Sequence, residues 1–192
     1  MRSNLDLVTL VAAYSQGYFP MPHPKTDVIE WFRPDPRAIL PLDNFHISRS
    51  LKRFISKTPY QTTINHNFTN VMNLCSQRPD TWINQEFIRA YSELHKHKFA
   101  HSVEIWFGEK LVGGLYGVCL GGAFFAESMF SLESNASKIA LMELVNIMIK
   151  KGMTLLECQF ITPHLKSLGV CEISDQDYMK ILAKAMKLKI VW

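Results

Sequence analysis

The chain has 192 residues, 47% of them hydrophobic and 11% aromatic, and a formal charge of +4. That length suits one ordinary domain, or one domain with a small lobe, and the apolar content is enough for a real core. The mild positive charge permits a nucleic-acid partner without demanding one, and no apolar run reaches the ~18 residues that would cross a membrane.

The pattern predicts a first helix from Leu5 to Gln16, stopped at Gly17. Asp6 interrupts this apolar stretch early and no small-residue cleavage site follows, so a signal peptide is not expected. Seven of the nine prolines then fall between Pro20 and Pro59, which predicts an irregular region with short strands. Residues 1–60 therefore read as a small, loop-rich lobe and 61–192 as the main domain.

A helical pattern begins at Ser48, a good N-cap, in "SRSLKRFISK". Arg49, Lys52, Arg53 and Lys57 share one face of that helix, with Leu51, Phe54 and Ile55 turned elsewhere. A basic stripe of this kind is either a solvated face or a phosphate contact. Two more helices are predicted over "HNFTNVMNLCSQ" and over "NQEFIRAYSELHKHK", the second capped by Asn84.

The period then switches. "HSVEIWFGEKLVGGLYGVCLGGAFFAESMF" reads as three antiparallel strands, with turns at Gly108-Glu109 and Leu120–Gly122. A helix follows over "SNASKIALMELVNIMIKKG", capped by Ser134 or Asn135 and stopped by Gly152. After it come a buried strand, "MTLLECQF", and an amphipathic helix, "DQDYMKILAKAMKL". This order predicts a mixed α/β fold: one twisted mixed sheet flanked by helices, similar to the acyltransferase core shared by N-acetyltransferases. A coenzyme A enzyme of that type opens a helix with a Gly-rich loop to hold pyrophosphate. Here the junction is "ESMFSLESNASK", without glycine, so no coenzyme A site is expected there.

Cys75, Cys119, Cys158 and Cys171 form no Cys-x-x-Cys pair, and no histidine spacing completes a zinc site. His95, His97 and His101 alternate with lysines and apolar residues, so no metal is expected on them. The compartment reads as reducing and cytoplasmic. Glu127 stands out because it sits in an otherwise apolar or small run, Ala123–Met129. A carboxylate there needs a partner or a job, since burying it unpaired costs several kcal/mol or raises its pKa.

Ten short motifs, among them "AYSQGYFPM", "WFRPDPRAILPL", "FHISRSLKR", "TWIN", "AHSVEIW", "LVGGLYGV", "FFAESMFS", "NASKIAL", "LECQF" and "SLGVCEI", occur in the order found in the leucyl/phenylalanyl-tRNA–protein transferases. The chain resembles that family from about Ala13 to Tyr178. The resemblance implies transfer of Leu, Phe or Met from aminoacyl-tRNA to proteins beginning with Arg or Lys, making a degradation signal for the N-end rule machinery. It implies no cofactor, no metal and no membrane, and a monomer working in the cytoplasm. The rivals are a coenzyme A-dependent N-acetyltransferase of the same fold and an aminoacyl transferase with a different acceptor.

The resemblance assigns Glu127, Glu157 and Gln159 to the catalytic pocket. Glu157 and Gln159 alternate on the strand "LLECQF" and so are expected on one face. Glu157 stands where the family has Asp. A neutral amide is a very weak base, so Gln159 is expected to orient the amine, with Glu157 fixing the amide. Leu115, Phe124, Met129, Leu144 and Leu156 are assigned to the aminoacyl side-chain pocket. Trp82 is matched to an aromatic that packs on the terminal adenosine of tRNA, with Tyr14, Tyr91 and Met21 around it; some relatives have Trp in place of Met21. Arg49, Lys52, Arg53 and Lys57 are matched to a cluster that holds the acceptor stem.

Overall fold

The structure is a computed structural model that describes residues 5–23, 26, 28–78 and 81–192. Helix α1 (Leu7–Ser15) starts where the Asp6 carboxylate accepts from the Thr9 N–H and ends before Gly17, whose φ of +79° allows the chain to turn out of the helix. Strands β1 (Phe19–Pro22) and β2 (Ile29–Phe32) then pair as an antiparallel hairpin apart from the main sheet.

The main sheet has seven strands. It contains β3 (Arg37–Ile39), β4 (Gln61–Ile64), β5 (Ala100–Phe107), β6 (Lys110–Leu120), β7 (Ala123–Ser131), β8 (Leu155–Gln159) and β9 (Cys171–Ile173). Their order across the sheet is β4-β5-β6-β7-β8-β3-β9. Among the described residues only the β7–β8 pair is parallel. The mixed α/β class and the β5-β6-β7 meander are as expected from sequence. The placement of β3 is not: the short Arg37–Ile39 run from the proline-rich region lies between two strands formed far later in the chain.

The helices complete three layers. Against one face of the sheet pack α1, α3 (Phe68–Cys75), α4 (Gln85–Lys96) and α7 (Asp175–Ala185), through Tyr14, Phe68, Tyr91, Phe125 and Tyr178. Against the other packs α5 (Ala136–Lys151), through Ile139, Leu141, Leu144 and Met148, with Leu51 of α2 (Arg49–Ile55) beside it. The predicted caps Ser48 and Asn84 both accept from backbone N–H groups of the first turn. Asn135, at the N-cap of α5, does not; it is left-handed, with φ of 64°. The short helix α6 (Pro163–Ser167) carries the chain from β8 to β9.

Irregularity in the central strands aims the side chains. Tyr116 pairs with Ser128 and Gly117 with Ala126, so Glu127 is an extra residue on β7. Such a bulge shifts the in–out alternation by one. Phe125 and Phe130 therefore face the α1/α4 layer, whereas Phe124, Ala126 and Met129 face the α5 layer. Gly117 opposite the bulge has no room for a side chain: a Cβ would run into the Phe125 carbonyl oxygen and the Phe124 ring. No helix among the described residues is long and apolar enough to cross a membrane.

Candidate active site

Parallel pairing of β7 with β8 runs only from Ala123/Leu155 to Phe125/Glu157. Beyond that point a cavity of about 330 Å³ opens, walled by Leu115, Met129, Leu141 and Cys158, with Glu127 on its lining. It thus lies outside the carboxyl ends of two parallel strands, where open α/β sheets place ligands.

Glu127 is buried, with 7% of its surface exposed. Its Oε1 accepts from the Tyr14 hydroxyl at 2.6 Å and its Oε2 from the Tyr91 hydroxyl at 3.4 Å, and the two tyrosines also bond each other. Burial is the main influence on its proton and pushes the pKa up to about 8. The Tyr14 bond opposes that rise and the nearby Glu157 adds to it. No cation pairs with Glu127 among the described residues, so the carboxyl is held by neutral donors and is sensitive to whatever charge enters the cavity.

Gln159 ends β8 with φ of 61°, a left-handed conformation rare outside glycine, asparagine and aspartate. Its side chain lies close enough to favour the ionised form of Glu127, but its buried Nε2 has no partner of good hydrogen-bond geometry. Strain and an orphaned donor at one residue mark a position kept for function rather than stability.

Glu157 sits in a different environment. Its Oε1 accepts from Arg37 Nη2 at 2.5 Å and its Oε2 from the Tyr178 hydroxyl at 2.6 Å. Arg37 is wholly buried, donates from Nη1 to the Gly17 carbonyl at 2.7 Å, and lies 3.9 Å from the centre of the Tyr178 ring. Burial pushes the Glu157 pKa up, and Arg37 with Tyr178 pulls it back. The expectation that Glu157 fixes the Gln159 amide is not met by a hydrogen bond: both oxygens go to Arg37 and Tyr178, and the left-handed turn at Gln159 breaks the alternation that would have set the two side by side. The sequence signal for this cluster was Arg37 itself, an arginine heading a short apolar strand, "RAIL".

Of the expected side-chain pocket, Leu115 and Met129 line the cavity. Phe124, Leu144 and Leu156 are fully buried in the same apolar cluster and form its backing. Leu141, Cys158, Arg78 and His164 on the lining went unnoticed in the sequence. Tyr14 and Tyr91 need correction: at 1% and 0% exposure their rings have no face for a base, and they serve Glu127 instead. Trp82 is half-buried, with its ring edge-to-face on Phe87 at 4.9 Å, and Met21 is a half-buried residue of β1. Arg49, Lys52 and Arg53 are exposed on α2, while Lys57 lies past its end. His95 and His101 make hydrogen bonds to the Ala100 and Lys98 carbonyls, and no cluster of described residues has the makings of a metal site.

Residues 39–183 match the leucyl/phenylalanyl-tRNA protein transferase family, and residues 3–35 match that family's N-terminal domain. The chain belongs to the leucyl/phenylalanyl-tRNA protein transferase family. It is therefore an enzyme of the aminoacyl-tRNA–protein transferase class. It is 50% identical over 187 residues to the leucyl/phenylalanyl-tRNA–protein transferase of Rhizorhabdus wittichii, covering 95% of this chain and 75% of that one. The Zymomonas mobilis transferase is 47% identical, with 97% and 71% covered, and that of Maricaulis maris 50% identical, with 92% and 84% covered. Among solved structures it is similar to L-PGS from Bacillus licheniformis, with a TM-score of 0.48 at 14% identity, covering 82% of this chain and 52% of that one.

Two predictions follow from the paired carboxylates of this transferase. Arg37→Met leaves Glu157 buried without its cation, and urea unfolding is expected to show a loss of about 3–5 kcal/mol. Adding Glu157→Leu should restore most of that stability; no recovery would mean that Arg37 acts through the Gly17 carbonyl instead. For Glu127, a carboxyl whose pKa rises from 4.5 to about 8 on folding binds its proton more tightly in the folded state. The stability from that proton is complete below the unfolded pKa and is lost as pH climbs towards 8. Glu127→Gln should therefore gain stability relative to the parent between pH 5 and pH 8, and a pH-independent difference would count against a raised pKa.

Proposed function

We propose that the chain transfers Leu or Phe, and with them Met, from aminoacyl-tRNA to the α-amine of proteins whose first residue is Arg or Lys. The observation that carries this reading is the largely apolar cavity ending on Glu127, a buried carboxyl with no paired cation among the described residues. A cavity of that size with leucine and methionine walls takes an unbranched apolar side chain and adapts to its shape. Glu127 receives the amino groups that meet at the reacting ester through charge-assisted hydrogen bonds.

The ester at the 3′ end of tRNA is already activated. The acceptor amine attacks its carbonyl carbon, the C–N bond forms, and the C–O bond to the ribose breaks. The amine's proton leaves with the ribose oxygen, directly or through water, so no ATP is consumed. Gln159 supplies donor and acceptor atoms of an amide to orient the amine, being too weak a base to remove its proton. Glu157 sits behind this site, neutralised by Arg37, and holds β8 in place. The preference for a cationic first residue then falls on Glu127: a cation entering the desolvated space favours loss of its proton and pairs with the carboxylate, whereas an acidic residue gains no such pairing and opposes that ionisation. The product would serve as a degradation signal. The reading places the work of a single chain in the cytoplasm, where charged tRNA is found. The glycine-free turn into α5 disfavours the coenzyme A alternative.

Transfer of radiolabelled Leu from charged tRNA to peptides differing only in their first residue is the direct test. Arg and Lys should be the fastest acceptors, with Asp and Glu the slowest; equal rates for acidic peptides would overturn the acceptor assignment. In the same assay Glu127→Gln should cut kcat/KM by roughly 10–150-fold, the value of a hydrogen bond to a charged group. Gln159→Glu should bring no acceleration at pH 7.

The exposed cations of α2 are proposed to meet tRNA phosphates. Binding of charged tRNA should weaken as salt rises, because phosphate contacts release counterions. Arg49→Ala with Arg53→Ala should flatten the log–log salt slope by about 1–2. An unchanged slope would return this stripe to a solvated face.

A further inference from the structure

The cavity beside Glu127 continues into a second, of about 350 Å³, lined by Leu74, Gln77, Ser131 and Ser137. Arg78, Met129 and His164 line both. Each cavity alone is at the lower end of the roughly 300–1,000 Å³ of small-ligand sites. Joined, they form a groove that is polarised: the carboxyl of Glu127 belongs to the first cavity only, and two nitrogenous side chains sit at the junction.

Arg78 is fixed at that junction, donating from Nη2 to the Ser128 hydroxyl at 3.0 Å, next in sequence to Glu127. Its planar fork matches phosphate oxygens two at a time. His164 approaches from α6; partial burial lowers its proton affinity, and Lys138 of α5 lowers it further. Arg78 and Lys138 thus bring positive charge to this end of the groove, where a bound anion would be drawn. Arg78 also lies four residues before Trp82 in the chain, the residue expected to carry the terminal base.

An aminoacyl nucleotide has the same polarity. Its amine and apolar side chain flank the ester, and its 5′-phosphate lies across the ribose from them. We propose that Arg78 and His164 bind the 5′-phosphate of the donor's terminal nucleotide, so that the groove measures the donor from its amine to its last phosphodiester. This rests on the aminoacyl-tRNA reading above. The contact is the same for every charged tRNA, so it positions the donor without reading sequence, and it is separate from the cations of α2, which would act on the stem.

The test compares 3′-O-leucyl-adenosine with 3′-O-leucyl-adenosine 5′-monophosphate as donors, and adenosine with adenosine 5′-monophosphate as ligands. The parent enzyme should have the lower KM for the phosphorylated donor. Arg78→Met should raise that KM about tenfold more than it raises the KM of the nucleoside donor, as loss of one charge-assisted contact implies. Arg78→Lys should keep part of the difference, and His164→Gln should reduce it. Binding of adenosine 5′-monophosphate, but not adenosine, should raise the pKa of His164 in a proton NMR titration. Equal effects on both donors, or no preference for the monophosphate, would overturn the proposal. So would a loss in Arg78→Met that follows an acidic residue in the acceptor peptide rather than the donor phosphate. Should the parent transfer Leu from neither donor nor from charged tRNA, the functional reading fails, and the monophosphate binding comparison still decides the phosphate site.

Discussion

Everything at the working end of this protein depends on one buried ion pair, Arg37 with Glu157. Arg37 reaches from β3 to the carboxylate on β8, to the carbonyl of Gly17 just past α1 and to the ring of Tyr178 on α7. Two charges in a dry interior repay their desolvation only when geometry is good and the remaining polar atoms are met. Here the second carboxylate oxygen is met by Tyr178 and Nη1 by the Gly17 carbonyl, while the buried Nε of Arg37 has no hydrogen-bond partner among the described residues. The pair therefore stabilises one arrangement of four separate elements and disfavours any slippage among them. It also offsets the charge of Glu157, although part of that charge is still felt by Glu127.

That pairing gives the two neighbouring carboxyls opposite characters. Both are buried, and both feel desolvation first. Glu157 has a guanidinium and is tied to the fold. Glu127 has tyrosine hydroxyls and the nearby Gln159 amide, with no cation among the described residues, and keeps a proton that it can give up near neutral pH. Pairs of titratable groups whose surroundings push them apart in this way are the usual mark of divided roles. The bulge at Glu127 supplies the geometry, because an extra residue in β7 turns a carboxylate toward the tyrosines while Met129 remains on the cavity wall.

Much of this was legible in the residues. The meander, the long helix α5 and the caps at Ser48 and Asn84 follow from local periodicity and local hydrogen bonding, so sequence reveals them. Glu127 was conspicuous because a lone carboxylate in an apolar run has no local explanation. What escaped depends on partners distant in sequence. The three residues of β3 are too short to announce a strand, and their place between β8 and β9 is decided by pairing more than 100 residues away. Tyr14 and Tyr91 read as aromatics for a base, yet tertiary packing gives their hydroxyls to Glu127. Alternation put Glu157 and Gln159 on one face, and the left-handed backbone at Gln159 undid it. Arg78 and His164 come from loops and a five-residue helix, where no pattern precedes the fold.

The position of β3 has a consequence for the making of the protein. A ribosome delivers residues 37–39 long before residues 155–159 and 171–173, which flank them in the finished sheet. At about 5–20 residues per second, β3 waits several seconds or more with both edges open, and Arg37 waits equally long for its carboxylate. Until then the nascent chain has Leu115, Met129 and Leu141 of the cavity wall but lacks Leu156, Cys158 and the Arg37–Glu157 pair. Assembly of the candidate site is therefore a late event of biosynthesis, and a chain stalled before β8 would have the β5-β6-β7 meander and Glu127 but neither Glu157 nor Gln159.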